Sequence, residues 1–119
     1  MSEILSISTE EAQMLCRKVL LTTGLTKSAA EKITNILLQN EFDGYPSHGI
    51  MRVHDYVMDI RDGKVYPHST INIQKENDYF TTITADKNLG IYVLSTLEDL
   101  LKNDTFGNIH FVAIKNSHH

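Results

Sequence analysis

Residues 79–115 decide the fold: YFTTITADKNLGIYVLSTLEDLLKNDTFGNIHFVAIK. Tyr79 to Ala85 is dense in β-branched and aromatic side chains, which suit a pleated strand. Residues 85–90, ADKNLG, read as a turn. Ile91, Leu94, Leu97 and Leu101 then recur at helical spacing and predict a helix ending near Asn103. After a loop over DTFGN, the apolar run at 109–115 is bounded by polar residues and predicts a buried strand. Strand, helix and strand of this length form a crossover unit, with the two strands parallel and the connection right-handed. Just upstream, INI at 71–73 predicts a further strand, joined to the first through a turn at KEND.

In such sheets ligands gather beyond the carboxyl ends of the strands. For the last strand that place is Asn116, Ser117, His118 and His119. Two adjacent histidines suggest a metal, but neighbouring side chains on an extended segment point to opposite faces, no HExxH helix is present, and a single cysteine excludes a thiolate cluster. No metal site is therefore expected.

Further upstream the pattern is helical. Ser8 with Glu11 three residues on makes a capping box, and Ala12, Leu15, Cys16, Val19 and Leu20 form an apolar stripe that Gly24 can close in a left-handed conformation. Thr26 caps a second helix whose stripe is Ala30, Ile33, Leu37 and Leu38. The short turn between them predicts an antiparallel pair. Gly44 and Pro46 break the second helix, and Ser47 then reads as the N-cap of a third, ended by Gly63.

That third segment, DGYPSHGIMRVHDYV at 43–57, concentrates reactive groups. With Ser47 as the cap, His48, Arg52 and Tyr56 follow at steps of four and share one side, beside Asp55 and Asp59. Ile50, Val53, Val57 and Ile60 make a separate stripe for the core. A guanidinium matches a carboxylate bidentately, a histidine can give or take a proton near neutrality, and amides at the start of a helix favour an anion. The plainer reading is a solvated face with Arg52 paired to Asp55 or Asp59. Spacing alone leaves both open.

Composition bounds the setting. The 119 residues, 41% hydrophobic and 22% charged, suit one soluble globular domain rather than a disordered chain. A net charge of −4 without a basic block argues against nucleic acid. The start lacks a signal peptide pattern and no apolar run is long enough for a bilayer, so with the lone Cys16 a cytoplasmic location is expected.

The run FDGYPSHGIMRVHDYVMDIRDGKVYP resembles the N-terminal signature of the malate/L-lactate dehydrogenase family. The likeness lies in Asp43-Gly44, Ser47-His48-Gly49, Arg52, Tyr56, Gly63 and Pro67, in order. It continues in ADKNLG, similar to the family's Asp-Gly-x-x-Gly turn, and in VAIKNSHH, similar to its strand ending in Asn-Ser-x-His. The resemblance implies an NAD- or NADP-dependent oxidoreductase that moves a hydride between nicotinamide and a 2-hydroxy or 2-keto acid. It implies substrate contacts at Ser47, Arg52 and Tyr56 and proton transfer by His48 or His119. The fold implied is a mixed α/β one, not Rossmann: a helical part over 1–64 carrying the Ser-His-Gly motif, packed on the start of an α/β catalytic domain over 65–119. Absence of a GxGxxG after any strand agrees. Family members are homodimers or larger assemblies. Relatives continue well past Asn-Ser-x-His with most of the nicotinamide site, so the 119-residue chain is expected to be a truncated portion, inactive alone, or a non-catalytic module that binds a carboxylate or self-associates.

Overall fold

A computed structural model describes residues 6–103 and 109–118. Among them the chain forms α1 (Thr9–Leu21), α2 (Lys27–Phe42), a 3-10 turn (Pro46–His48), α3 (Arg52–Arg61), β1 (Asn72–Asn77), β2 (Phe80–Thr84), α4 (Gly90–Asn103) and β3 (Phe111–Lys115). It divides into two compact units, Met1–Val57 and Met58–His119.

In the first unit, Ser8 Oγ accepts from the Glu11 N–H at 3.1 Å while the Glu11 carboxylate accepts from the Ser8 N–H at 3.2 Å, completing the capping box. Gly24 takes a φ of 92° after α1, where a side chain would be strained. Thr26 Oγ1 accepts from the Ala29 N–H at 3.2 Å and starts α2. The Gln13 side-chain amide donates to Asn35 at 3.1 Å; those residues lie symmetrically about Gly24, as an antiparallel hairpin of helices requires. Ala30, Ile33, Leu37 and Leu38 are all buried. In α1 the stripe is narrower than its apolar spacing suggests: Ala12, Cys16 and Leu20 are buried, but Leu15 and Val19 are exposed. Steps of four keep the first three in line, whereas Leu15 and Val19 sit to one side of that line.

The third helix begins later than Ser47. Pro46–His48 is a separate 3-10 turn, and α3 starts only at Arg52. Gly49 interrupts it with φ −101° and ψ −146°, and the first amides of α3 are used locally, Arg52 N–H to Gly49 O and Val53 N–H to Ile50 O, both at 3.0 Å. The helix stops before Gly63, whose φ is 74°.

In the second unit, β1, β2 and β3 form one sheet in that order. β1 and β2 are antiparallel, β2 and β3 parallel in register from Phe80 opposite Phe111 to Thr84 opposite Lys115, with α4 as the crossover. The hairpin turn lies at Asp78-Tyr79 rather than across KEND. Asn77 Oδ1 accepts from the Tyr79 N–H at 2.8 Å, so the turn forms there and β1 runs on through Gln74 to Asn77 as an exposed edge. Thr81 and Ile83 alternate inward, and Ile83, Ala85 and Val93 form a core lined by Ile71, Leu97, Val112 and Ile114.

One expectation of burial fails in this unit. β3 is half-exposed, with Phe111 65% accessible, because it ends the sheet order and its apolar run has β2 on one side only. On α4 the fully buried position is Val93, while Leu94 and Leu101 are exposed. Val93 and Leu97 are one turn apart and face the sheet together; Leu94 follows Val93 by one residue and is turned about 100° away. The loop expected over DTFGN lies outside the described residues. No helix among the described residues is long and apolar enough to cross a membrane.

Candidate functional site

The first unit gathers four of the residues singled out in the sequence. Arg52, at the start of α3, donates its Nε–H to the Ser47 carbonyl at 2.7 Å and its Nη1–H to Asp55 at 3.2 Å. Ser47 Oγ lies 3.0 Å from His48 Nδ1. Tyr56 stands one turn on from Arg52, half-buried. Burial pushes its phenol above the ordinary value, the Arg52 guanidinium pulls it down and the Asp55 carboxylate pushes it up. These shifts put the phenol within electrostatic reach of both charges.

What brings them together is not a single helical face. His48 belongs to the 3-10 turn, so only Arg52 and Tyr56 follow one another along α3. Ser47 and His48 join them because the Arg52 side chain reaches back to the Ser47 carbonyl. The Arg52–Asp55 pair of the plainer reading is also present, with Asp55 54% exposed, a position where such a pair contributes little.

Two further residues hold this loop, and sequence reasoning missed them. Asn40, in the last turn of α2, donates its side-chain amide to the His48 carbonyl at 2.8 Å. Glu41 accepts the Ile50 N–H at 2.9 Å. Gly49 is buried beneath Glu41, and a Cβ at that position would overlap the Glu41 carboxylate. The glycine of Ser-His-Gly is the trace this packing leaves in the sequence, because only a residue without a side chain admits such close approach.

In the second unit the residues after β3 fold back on the start of α4. Asn116 takes a φ of 58° and its carbonyl accepts the Lys87 N–H at 2.7 Å. His118 donates its N–H to Asn88 O at 3.0 Å and accepts the Gly90 N–H at 2.6 Å. Its Nε2 lies 2.9 Å from Asp59 Oδ2, and its Nδ1 is buried with no partner. Asp59, one of two candidate partners for Arg52, is thus paired elsewhere. His119 lies outside the described residues.

A pyrophosphate is held by free amides at a helix N-terminus, and the Gly90 amide that opens α4 is already bonded to His118 O. Among the described residues no group of three or more metal-ligating side chains is present.

The family model described as malate/L-lactate dehydrogenase matches residues 7–119. A malate/(S)-sulfolactate dehydrogenase of Methanothermus fervidus is 32% identical over 84 residues, covering 71% of this chain and 25% of that protein. Delta(1)-pyrroline-2-carboxylate reductase 1 of Burkholderia ambifaria is 26% identical over 123 residues, covering 100% of this chain and 36% of that protein. The solved sulfolactate dehydrogenase from Methanocaldococcus jannaschii superposes with a TM-score of 0.80 at 27% identity, over 92% of this chain and 32% of that one. The chain thus spans a quarter to about a third of the length of these relatives.

Proposed function

The chain belongs to the malate/L-lactate dehydrogenase family, and on that ground we propose that it supplies the acid-binding and proton-transferring side of a 2-hydroxy acid dehydrogenase. The reaction is reversible hydride transfer between a nicotinamide, NAD or NADP, and a 2-hydroxy or 2-keto acid. The observation that supports this reading is the setting of Arg52. Its Nε–H is committed to the Ser47 carbonyl and one Nη1–H to an exposed aspartate. A guanidinium has five donors, so the outer part of the fork remains for a substrate carboxylate, which it fits bidentately.

His48 is the proton carrier in this reading. The Ser47 hydroxyl engages Nδ1, which orients the ring and leaves Nε2 for the substrate oxygen. In reduction His48 protonates the oxygen as negative charge grows there, and in oxidation it takes that proton back. The Tyr56 phenol, whose ionisation burial disfavours further, contributes a hydrogen bond to the acid. His119 is assigned the second histidine position of the family. In this reading the described residues bind the acid and carry its proton, and the chain by itself does not turn the acid over. A cytoplasmic setting and self-association belong to the same reading; the exposed Ile109 and Phe111 support the latter.

The test pairs NADH and NADPH oxidation against a panel of 2-keto acids with binding of the same acids to wild type and Arg52→Ala. Acid binding lost in Arg52→Ala is the expected result, by about tenfold or more for one charged contact. Turnover by the chain alone would overturn its assignment as a partial site. Equal binding by the two proteins would remove Arg52 from the pocket.

A further inference from the structure

We propose that Glu41, with Asn40 beside it, is the positioning residue of this site: the end of α2 sets the Ser47-His48-Gly49 loop on which His48 and the Arg52 anchor depend. The proposal rests on the reading of His48 and Arg52 given above and adds a residue to it.

Three observations converge. Glu41 Oε1 takes the Ile50 N–H at 2.9 Å, immediately after the loop. Its carboxylate lies where a side chain of residue 49 would be, so a Cβ there would displace the carboxylate from the loop. Asn40 holds the His48 carbonyl at 2.8 Å, and its own carbonyl accepts the Tyr45 N–H at 2.9 Å. The loop is thereby tied to α2 before it at Tyr45, within it at His48 and after it at Ile50. Arg52 ties the same loop to α3 through Ser47 O. A shift of the loop would therefore move both the imidazole and the carbonyl that orients the guanidinium. Hydrogen bonds to a charged acceptor are stronger than neutral ones, which makes Glu41 the principal tie and Asn40 the secondary one. Glu41 touches no substrate in this scheme; it acts through Gly49 and Ile50.

The experiment compares wild type, Glu41→Ala, Glu41→Gln and Asn40→Ala. It measures hydrogen exchange of the Arg52 Nε–H by NMR and the Kd for L-malate, with unfolding in urea followed in parallel. Glu41→Ala should speed Arg52 Nε–H exchange and weaken L-malate binding, each by about tenfold. Glu41→Gln, whose amide oxygen can still accept from Ile50, should recover most of both losses. Asn40→Ala should show the same two effects at smaller size, and it decides the matter should Glu41→Ala not fold. Exchange and affinity both within about twofold of wild type in Glu41→Ala, or in Asn40→Ala if only that variant folds, would overturn the proposal. No recovery in Glu41→Gln would also overturn it as a hydrogen-bonding device. If L-malate does not bind wild type, or binds Arg52→Ala equally well, the function proposed above fails, while the exchange measurement still decides whether Glu41 holds the loop.

Discussion

Tyr56 carries opposing influences that can be separated. Burial and Asp55 raise its phenol, and Arg52 lowers it. Removing the guanidinium in Arg52→Ala should move the phenol further up, read from the Tyr56 ring shift in an NMR pH titration; an unchanged or lower value would mean the two side chains do not sense one another. The stability effect has a definite sign. A phenol raised in the folded state contributes stability that is complete below its ordinary value and is lost as pH climbs through the raised one. Alkaline unfolding should therefore be less affected by pH in Tyr56→Phe than in wild type. Cys16 behaves in the same sense, pushed up by burial and then by the Glu41 charge, and its thiol should be slow to alkylate at neutral pH.

Elements remote in sequence meet through few bonds, and the Asp59–His118 pair is the clearest of them. It joins α3 to the segment after β3, with both side chains less than a quarter exposed. Asp59→Ala would leave His118 with both ring nitrogens unpaired, since Nδ1 already has no partner. The expected loss is about 1.5–3 kcal/mol in urea denaturation, accompanied by faster exchange of the Gly90 amide that bonds to His118 O. A loss confined to stability, with Gly90 exchange unaltered, would show that the pair does not hold the end of β3.

Across the molecule, what was legible in the sequence was whatever is written locally. Ser8 with Glu11, Thr26, Gly24 and Gly63 act on their own neighbours, and the elements they bound are found where expected. The parallel pairing of β2 and β3 also follows from local pattern, since strand, helix and strand of that length admit few alternatives. The start of α3 was not legible, because Ser47 has every local mark of a cap, yet its hydroxyl lies against His48 Nδ1 and Gly49 leaves helical geometry, so the helix begins only at Arg52. Likewise Asp59 was one of two candidates for Arg52 until the fold gave it to His118. Burial of β3 depends on how many strands flank it, which its five residues do not encode.

The exposed edge at β1 has a bearing on how the chain behaves in crowded solution. All six of its residues face solvent, one is Lys75, and the pairing register slips between Lys75 and Asn77. Two charged side chains, Lys75 and Glu76, and a kink on an outer strand make it a poor template for a second copy to extend the ladder. Lys75→Ile should increase light scattering on concentration, while the fold, read by circular dichroism, stays the same. Solubility on that flank is thus guarded by an ammonium group, a carboxylate and one irregularity in the backbone, none of which contributes to the interior.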